Sequence, residues 1–158
     1  MANTYNQIYI HLVFAVQGRI SLIMPQWKEE LYKYITGTIE SHGHHLYAIG
    51  GMEDHIHILV SMSPAQSIQD LVRDTKRAST LWINGKHLVL GNFAWQKGYG
   101  AFSVSKSVVD KTIQYINNQY EHHHKKTFRE EYIEFLKAYN IPYDERYIFE
   151  DAKNGDIE

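Results

Sequence analysis

Residues 46–60 read LYAIGGMEDHIHILV, and this stretch decides the fold. Two short strand-forming runs, at 46–49 and 56–60, stand on either side of a glycine pair and a three-residue link. Such runs joined by so short a connection predict an antiparallel hairpin. The sheet of this protein should therefore contain neighbouring strands that run in opposite directions.

The segments around the hairpin add further strands and helices. Apolar residues occupy every second position of 8–16, which indicates a strand with one face in the core: Ile8, Ile10, Leu12, Phe14 and Val16. Another strand lies within 95–104. Proline and capping residues predict helices that begin at Pro25, Ser67, Ser107 and Thr127 and end near residues 42, 84, 126 and 140. The order β-α-β-β-α-β-α-α predicts an α+β fold, a ferredoxin-like or RRM-like antiparallel sheet with helices on one face and a further C-terminal helix.

The composition is that of an ordinary folded domain. The chain has 158 residues, 44% of them apolar, and no cysteine. A disulfide framework, a thiol nucleophile and a thiolate metal site are therefore excluded. We find no apolar run of about 18 residues that could span a membrane and no secretory signal, and we expect a cytoplasmic protein. We expect one domain over residues 1–140 and a polar, acidic tail over 141–158.

The charge is unevenly distributed along the chain. The formal net charge of −2 argues, taken alone, against a nucleic-acid partner. Residues 129–158, however, hold four basic and nine acidic residues, so that residues 1–128 carry a net charge of +3. The mildly basic body weakens the objection to a nucleic-acid partner without making a positive case for one.

His55 and His57 are the candidate metal ligands. Residues two apart on a strand point to the same face, so both imidazoles can converge on one divalent ion while Ile56 points into the core. The alternative is a pair of polar residues on a solvated strand face. Two histidines make an incomplete metal site, and a third ligand has to come from another part of the chain.

A second candidate cluster lies on the helix that follows residue 107. Tyr115 and Gln119 are four apart and therefore lie side by side on one flank of this helix. The amide oxygen of Gln119 could bind a metal ion, and a tyrosine phenolate is a competent nucleophile toward phosphorus. Because the pKa of an unperturbed tyrosine is about 10, Tyr115 would need a base or a cation nearby. Packing is the alternative role for a tyrosine at such a position. The apolar stripe of the helix consists of Val109, Ile113, Ile116 and Tyr120.

Taken together, these motifs resemble a known family. The stretch 52–60, MEDHIHILV, resembles the His-hydrophobic-His (HUH) motif of single-tyrosine transposases from small bacterial insertion sequences. The stretch 115–123, YINNQYEHH, resembles their second motif, which has Tyr and Gln four apart and a histidine pair after them. The likeness spans roughly residues 5 to 135 in the right order. Two motifs this far apart are more specific together than either is alone.

The resemblance implies a metal-dependent tyrosine transposase that cleaves and rejoins single-stranded DNA ends through a 5′-phosphotyrosine intermediate. In that reading Tyr115 is the catalytic nucleophile, and His55, His57 and Gln119 hold Mg²⁺ or Mn²⁺. The implied partners are single-stranded DNA hairpins at insertion-sequence ends and a second copy of the chain. We expect a homodimer joined at a sheet edge, through strand 8–14 or strand 95–104, with the histidines of one copy serving the tyrosine of the other.

The candidate DNA contacts are basic residues on two segments: Arg19, Arg73, Lys76 and Arg77. The last three form a patch on the second helix, and Lys76 matches the family position best. Because Asp70 and Asp74 lie among them, a solvated, salt-bridged face is the alternative. The family often has a lysine just after the first strand. This chain lacks it there, and only Arg19 remains near that position.

A non-catalytic or domesticated module that binds single-stranded DNA or RNA with the same fold is the alternative function. Such a module would present aromatic residues on its central strands, where this chain has His55 and His57. The sequence leaves open the hairpin and cleavage-site sequences, the host element and whether this copy is active. It also leaves open whether one active site draws on one chain or two in the resting state, and the role of His122, His123 and His124.

Overall fold

An antiparallel sheet forms the centre of the computed structural model, which describes residues 3–19, 22–119 and 126–148. Within these residues the sheet has four strands in the order β2-β3-β1-β4. The hairpin predicted at 46–60 is confirmed as β2 and β3, with Met52 opposite His55. The predicted α+β, ferredoxin-like class is therefore confirmed. The strands are β1 (Tyr9–Ala15), β2 (His45–Met52), β3 (His55–Ser61) and β4 (Gly100–Val104).

One face of the sheet packs against α1 (Pro25–Ser41) and α2 (Ile68–Gly85). The alternating apolar residues of β1 and β3 meet the apolar stripes of both helices in the largest core cluster. Ser67 caps α2 as predicted, because its side chain accepts a hydrogen bond from the backbone N–H of Asp70. This face confirms the prediction of helices against one side of the sheet.

The opposite face is covered by α3 (Val109–Asn117) and α4 (Phe128–Ala138). Val13 and Phe102 of the sheet pack under α4, and Leu59 packs under α3. Central strands β1 and β3 are consequently buried on both sides. The strand face that carries His55 and His57 is thus an interior surface, and the alternative of a solvated strand face is wrong.

Three predicted features need correction. Helix α3 ends at Asn117, and a 3₁₀ turn at Lys106–Val108 precedes it in place of a Ser107 cap. The predicted continuation of this helix over residues 120–125 lies outside the described residues. Within the segment 95–104, where the sequence predicts one strand or two bent at glycines, the strand is Gly100–Val104, and Trp95 forms an isolated antiparallel bridge with Val16. Strand β1 pairs with both β3 and β4, so the expectation that it lies at a sheet edge is wrong. Local sequence patterns indicate where strands lie, but the order of strands in the sheet depends on pairing between segments far apart in the sequence.

Gly50 on β2 allows α3 to lie unusually close to the sheet. A Cβ atom at this position would lie 2.3 Å from the carbonyl oxygen of Ile116, a distance that no side chain can adopt. The absence of a side chain at residue 50 therefore sets the height of α3 above β2. The same helix carries Tyr115.

The C-terminal part of the described chain packs on the domain. Ile148 is buried in the cluster formed by α4, so the predicted tail begins with residues that pack on the domain. Residues 149–158 lie outside the described residues, and the division at residue 140 stays a prediction. No helix in the described ranges is long and apolar enough to cross a bilayer.

Candidate active site

His55 and His57 lie side by side on β3, beneath α3 and α4. Both side chains are fully buried, and their rings are 5.1 Å apart between centroids. The alternation of β3 places Ile56 and Ile58 in the apolar core on the other face of the sheet. The two imidazoles therefore point toward the helices, as the period of the strand predicts.

Each histidine is held through its Nδ1 atom. His55 Nδ1 lies 2.7 Å from Oδ1 of Asp54, and His57 Nδ1 lies 2.9 Å from Nε2 of His11. Burial, and then the neighbouring His57, lower the pKa of His11 to about 3, so His11 is neutral at neutral pH and can accept a hydrogen bond. Partners at both Nδ1 atoms orient the two Nε2 atoms toward the space under the helices. Metal-binding histidines are commonly held in this way.

Gln119 follows the end of α3 and is also buried. Its Oε1 atom lies 3.4 Å from Nε2 of His55, while its Nε2 atom donates a hydrogen bond to the backbone carbonyl of Tyr115 at 3.2 Å. The second contact fixes which end of the amide faces the histidine. The structure thus brings together three residues that the sequence pairs only by motif: His55, His57 and Gln119.

Tyr115 lies on the face of α3 that turns toward the histidines. Its ring is 5.8 Å from that of His57 between centroids, and its hydroxyl donates a hydrogen bond to Oε2 of Glu131. Burial, and then the carboxylate of Glu131, raise the pKa of Tyr115 well above its usual range. The hydroxyl is therefore protonated in this arrangement. It would become a nucleophile only with help from neighbouring groups.

Sequence reasoning missed two members of this cluster, His11 and Glu131. Glu131 is buried on α4 and places Oε1 at 2.9 Å from Nε2 of His57. The ligand atoms of His55, His57 and Glu131 all lie within 4.8 Å of one another, and this group could hold a metal ion. A signal existed for both residues. His11 interrupts an apolar strand, and Glu131 falls on the apolar stripe of its helix, where a carboxylate is out of place.

The predicted DNA contacts on α2 lie on the opposite side of the sheet from this cluster. Arg73 forms salt bridges with Asp70 at 3.1 Å and Asp74 at 3.3 Å, as the salt-bridged alternative expects. Lys76 donates to the backbone carbonyls of Gln96 and Gly98 at 2.8 and 2.7 Å, and burial lowers its pKa to about 8. Arg77 is exposed. The structure describes only the backbone of Arg19, and His122, His123 and His124 lie outside the described residues.

Comparison with solved structures places the fold among transposases. A candidate transposase from Deinococcus radiodurans R1 matches with a TM-score of 0.60 and 25% identity, over 75% of this chain and 95% of that one. A REP-associated tyrosine transposase bound to a REP hairpin has the same fold, with a TM-score of 0.59 and 14% identity, over 78% of this chain and 73% of that one.

The chain belongs to the family described as "Transposase IS200 like", which matches residues 4–119. It is 25% identical over 120 residues to the ISDra2 transposase TnpA of Deinococcus radiodurans, covering 73% of this chain and 86% of that protein. Membership confirms the resemblance seen in the sequence and implies a DNA-cleaving enzyme. The matched segment ends at Gln119, so α4 and Glu131 lie beyond it.

Proposed function

We propose that this transposase cleaves and rejoins single-stranded DNA ends through a covalent bond between Tyr115 and a 5′-phosphate. The observation that carries the proposal is the meeting of Tyr115, His55, His57 and Gln119 in one buried cluster of a single chain. Packing alone does not require two imidazoles, an amide and a phenol to lie together, whereas phosphoryl transfer uses a nucleophile beside metal-binding groups.

The chemistry requires one exchange of bonds at phosphorus. Oη of Tyr115 forms a bond to the scissile phosphorus, and the bond from that phosphorus to the 3′ oxygen breaks. The phenol loses its proton and the departing 3′ oxygen gains one, so the products are a 5′-phosphotyrosyl enzyme and a free 3′-hydroxyl. Because one phosphodiester replaces another, rejoining needs no nucleotide cofactor.

His55, His57 and Gln119 would hold the divalent ion, Mg²⁺ or Mn²⁺. The donor set fits such an ion, because Asp54 and His11 hold the two Nδ1 atoms and leave each Nε2 directed into the cluster. Two imidazoles with an oxygen ligand suit Mn²⁺, whereas Mg²⁺ prefers oxygen ligands. When bound, the ion would supply Lewis-acid polarisation of the scissile phosphate.

A DNA hairpin with a single-stranded flank is the substrate we propose. A protein of the same fold binds a REP hairpin, and the body of this chain carries a positive net charge over residues 1–128. We keep the prediction that Arg19 and the basic residues of α2 contact the phosphate backbone of this DNA. A non-catalytic binding module of the same fold would bind such a hairpin and leave it intact.

Covalent labelling tests the proposal. Wild-type protein is incubated with Mn²⁺ and end-labelled hairpin DNA that carries a single-stranded flank, and protein–DNA adducts are separated under denaturing conditions. We expect an adduct with the wild type and none with Tyr115→Phe, which retains the ring and removes only the hydroxyl. Binding of the hairpin should persist in the variant.

Tyr99→Phe is the matched control and should form the adduct as the wild type does. An adduct that persists in Tyr115→Phe, or maps to Tyr99 or Tyr120, would show that the nucleophile is misassigned. Absence of an adduct in the wild type with a panel of hairpins, combined with tight binding, would favour the non-catalytic module.

We also propose that two copies of the chain act as a homodimer, because strand transfer needs two cleaved ends held together. Of the two strands that the sequence expects at the dimer edge, β1 is central and β4 lies at an edge of the sheet, so we propose pairing through β4. Sedimentation should show a dimer at micromolar concentration, and a monomer would contradict the proposal. We further propose that the histidines of one copy serve the tyrosine of the other in this dimer, so mixing His57→Ala with Tyr115→Phe protein should restore some cleavage. A dimer whose mixed variants stay inactive would point to sites built within each chain, an arrangement that the cluster in one chain allows. Restoration would show that the site is shared between copies.

A further inference from the structure

Glu131 is a carboxylate in a position that sequence patterns reserve for apolar residues. It lies on α4 with 2% of its surface exposed, and the other buried residues of this helix are Phe128, Tyr132 and Leu136. Burying an ionised carboxylate costs several kcal/mol unless charge or hydrogen bonds offset it. A glutamate on this stripe therefore calls for a compensating partner inside the cluster.

The two oxygens of this carboxylate contact different members of the cluster. Oε1 lies 2.9 Å from Nε2 of His57, and Oε2 accepts the hydrogen bond of the Tyr115 hydroxyl. His55, His57 and Glu131 together present ligand atoms within 4.8 Å of one another. Ligands around one octahedral ion are about 3–4 Å apart, so small side-chain shifts would suffice to place all three on one ion.

We propose that Glu131 is a ligand of the divalent ion, supplied by the C-terminal helix together with His55 and His57. This inference rests on the proposed function and deepens it. A set of two histidines and Gln119 is neutral, and a buried divalent ion would leave its charge uncompensated. Glu131 adds a negative charge and a hard oxygen, the donor that Mg²⁺ and Mn²⁺ prefer. The residue lies outside the segment that the family matches.

A second consequence concerns the nucleophile. The carboxylate of Glu131 contacts both His57, a proposed metal ligand, and the Tyr115 hydroxyl. Helix α4 therefore positions the nucleophile relative to the metal site. The competing explanation is that Glu131 forms only an ion pair with a protonated His57. In that case the carboxylate would stabilise the protein and contribute nothing to metal affinity.

Direct measurement of Mn²⁺ binding separates these explanations. Titration calorimetry with MnCl₂ is performed on the full-length wild type and on Glu131→Gln, which keeps the shape of the side chain and removes its charge. We expect Glu131→Gln to bind Mn²⁺ about 10–100-fold more weakly. Glu134→Gln is the matched control. Glu134 lies three residues further along α4, lines a surface cleft together with Tyr115 and Glu131, and pairs with Lys126. Its affinity should stay within about twofold of the wild type.

Unchanged affinity in Glu131→Gln, with binding abolished in His57→Ala, would overturn the role of Glu131 and leave the proposed function intact. Absence of Mn²⁺ binding in the wild type would overturn both. Glu131→Asp retains the carboxylate and should bind more tightly than Glu131→Gln. Equal loss in both variants would contradict the inference. If circular dichroism shows that Glu131→Gln is unfolded, Glu131→Asp is compared with Glu134→Asp, and equal affinities in that pair would also overturn it.

Discussion

The two faces of strand β3 are both buried, yet they are built from opposite kinds of residue. Ile56, Ile58 and Val60 point into the apolar core under α1 and α2. His55 and His57, from alternate positions of the same strand, point into the cluster under α3 and α4. Residues one position apart are therefore equally inaccessible to water but differ in what holds them.

This difference separates stability from chemistry within one strand. The apolar face gains free energy from burial itself, because hydrophobic surface leaves water. The two imidazoles on the other face gain little that way and depend on specific partners, which here are Asp54, His11 and Glu131. Buried polar groups that need such matching are expected where function requires them. Changes on the two faces should consequently produce different signatures.

The largest effects should come from Ile58→Ala and His57→Ala, one change on each face. Ile58→Ala should lower the free energy of unfolding by about 2–5 kcal/mol, because it opens a cavity in the core. Where it remains folded it should still form the DNA adduct. His57→Ala should abolish the adduct and lower the free energy of unfolding by about 1–3 kcal/mol, because it removes a partner of His11 and Glu131. Urea unfolding and adduct formation measure the two signatures.

The period of β3 turns His57 away from the apolar core under α1 and α2, yet its side chain is fully buried on the other face. For that reason we do not expect His57→Ala to leave folding intact. If His57→Ala protein formed wild-type amounts of adduct in the presence of Mn²⁺, the proposed role of His57 as a metal ligand would be wrong.

Gly50→Ala should disturb the polar face through the backbone alone. The added methyl would meet the carbonyl of Ile116, so α3 must move away from β2, and overpacking of this kind costs about 1–3 kcal/mol. The adduct should form more slowly because Tyr115 moves with α3. Gly37→Ala is the control, because a Cβ there meets nothing within 4 Å and lies on helix α1. It should stabilise the protein by about 0.5–1 kcal/mol. Equal effects of the two changes on unfolding would contradict the close approach of α3.

Local patterns predicted the parts of this molecule that depend on local physics. The alternation in β1 and β3 and the Ser67 cap each involve residues within a few positions of one another, and they are confirmed. The exception is Ile8, which precedes β1 and is exposed, so its predicted place in the core is wrong. The central position of β1 could not be predicted, because strand order is set by pairing between segments far apart in sequence.

The candidate site divides in the same way. The pairs His55–His57 and Tyr115–Gln119 are each visible as a short spacing, and the family motif links them. Glu131 reaches His57 from 74 positions away, through the packing of α4, and no spacing rule connects the two. Its polar intrusion into an apolar stripe indicates that something is unusual, but only the folded chain shows which partners it meets.

His11→Leu should have a smaller effect, confined to the polar face. The change removes the acceptor for Nδ1 of His57 and leaves the Nε2 atom unaltered. Loss of such an orienting partner typically weakens metal binding about 10–100-fold, and we expect the lower end here because Asp54 still holds His55. Calorimetry with MnCl₂ measures the change, and the exposed His45→Ala is the control. If His11→Leu binds Mn²⁺ as the wild type does, the contact between His11 and His57 has no role in orienting the ligand.

The smallest effects should come from the basic residues of α2, the helix that covers the apolar face of β3. Lys76→Met should lower the free energy of unfolding by about 1 kcal/mol, because two hydrogen bonds to the carbonyls of Gln96 and Gly98 are lost. The sequence predicts a phosphate contact for Lys76, but these bonds engage its ammonium in the folded chain. Hairpin affinity, and its dependence on salt concentration, should therefore change little in Lys76→Met.

Arg77→Ala should change the free energy of unfolding by no more than about 0.5 kcal/mol. If the exposed guanidinium of Arg77 contacts phosphate, this variant should reduce the slope of log affinity against log salt concentration by about 1. An equal reduction in Lys76→Met would restore the role that the sequence assigns to Lys76. Unchanged slopes in both variants would show that the DNA does not contact α2, and would favour binding on the face of the sheet that holds Tyr115.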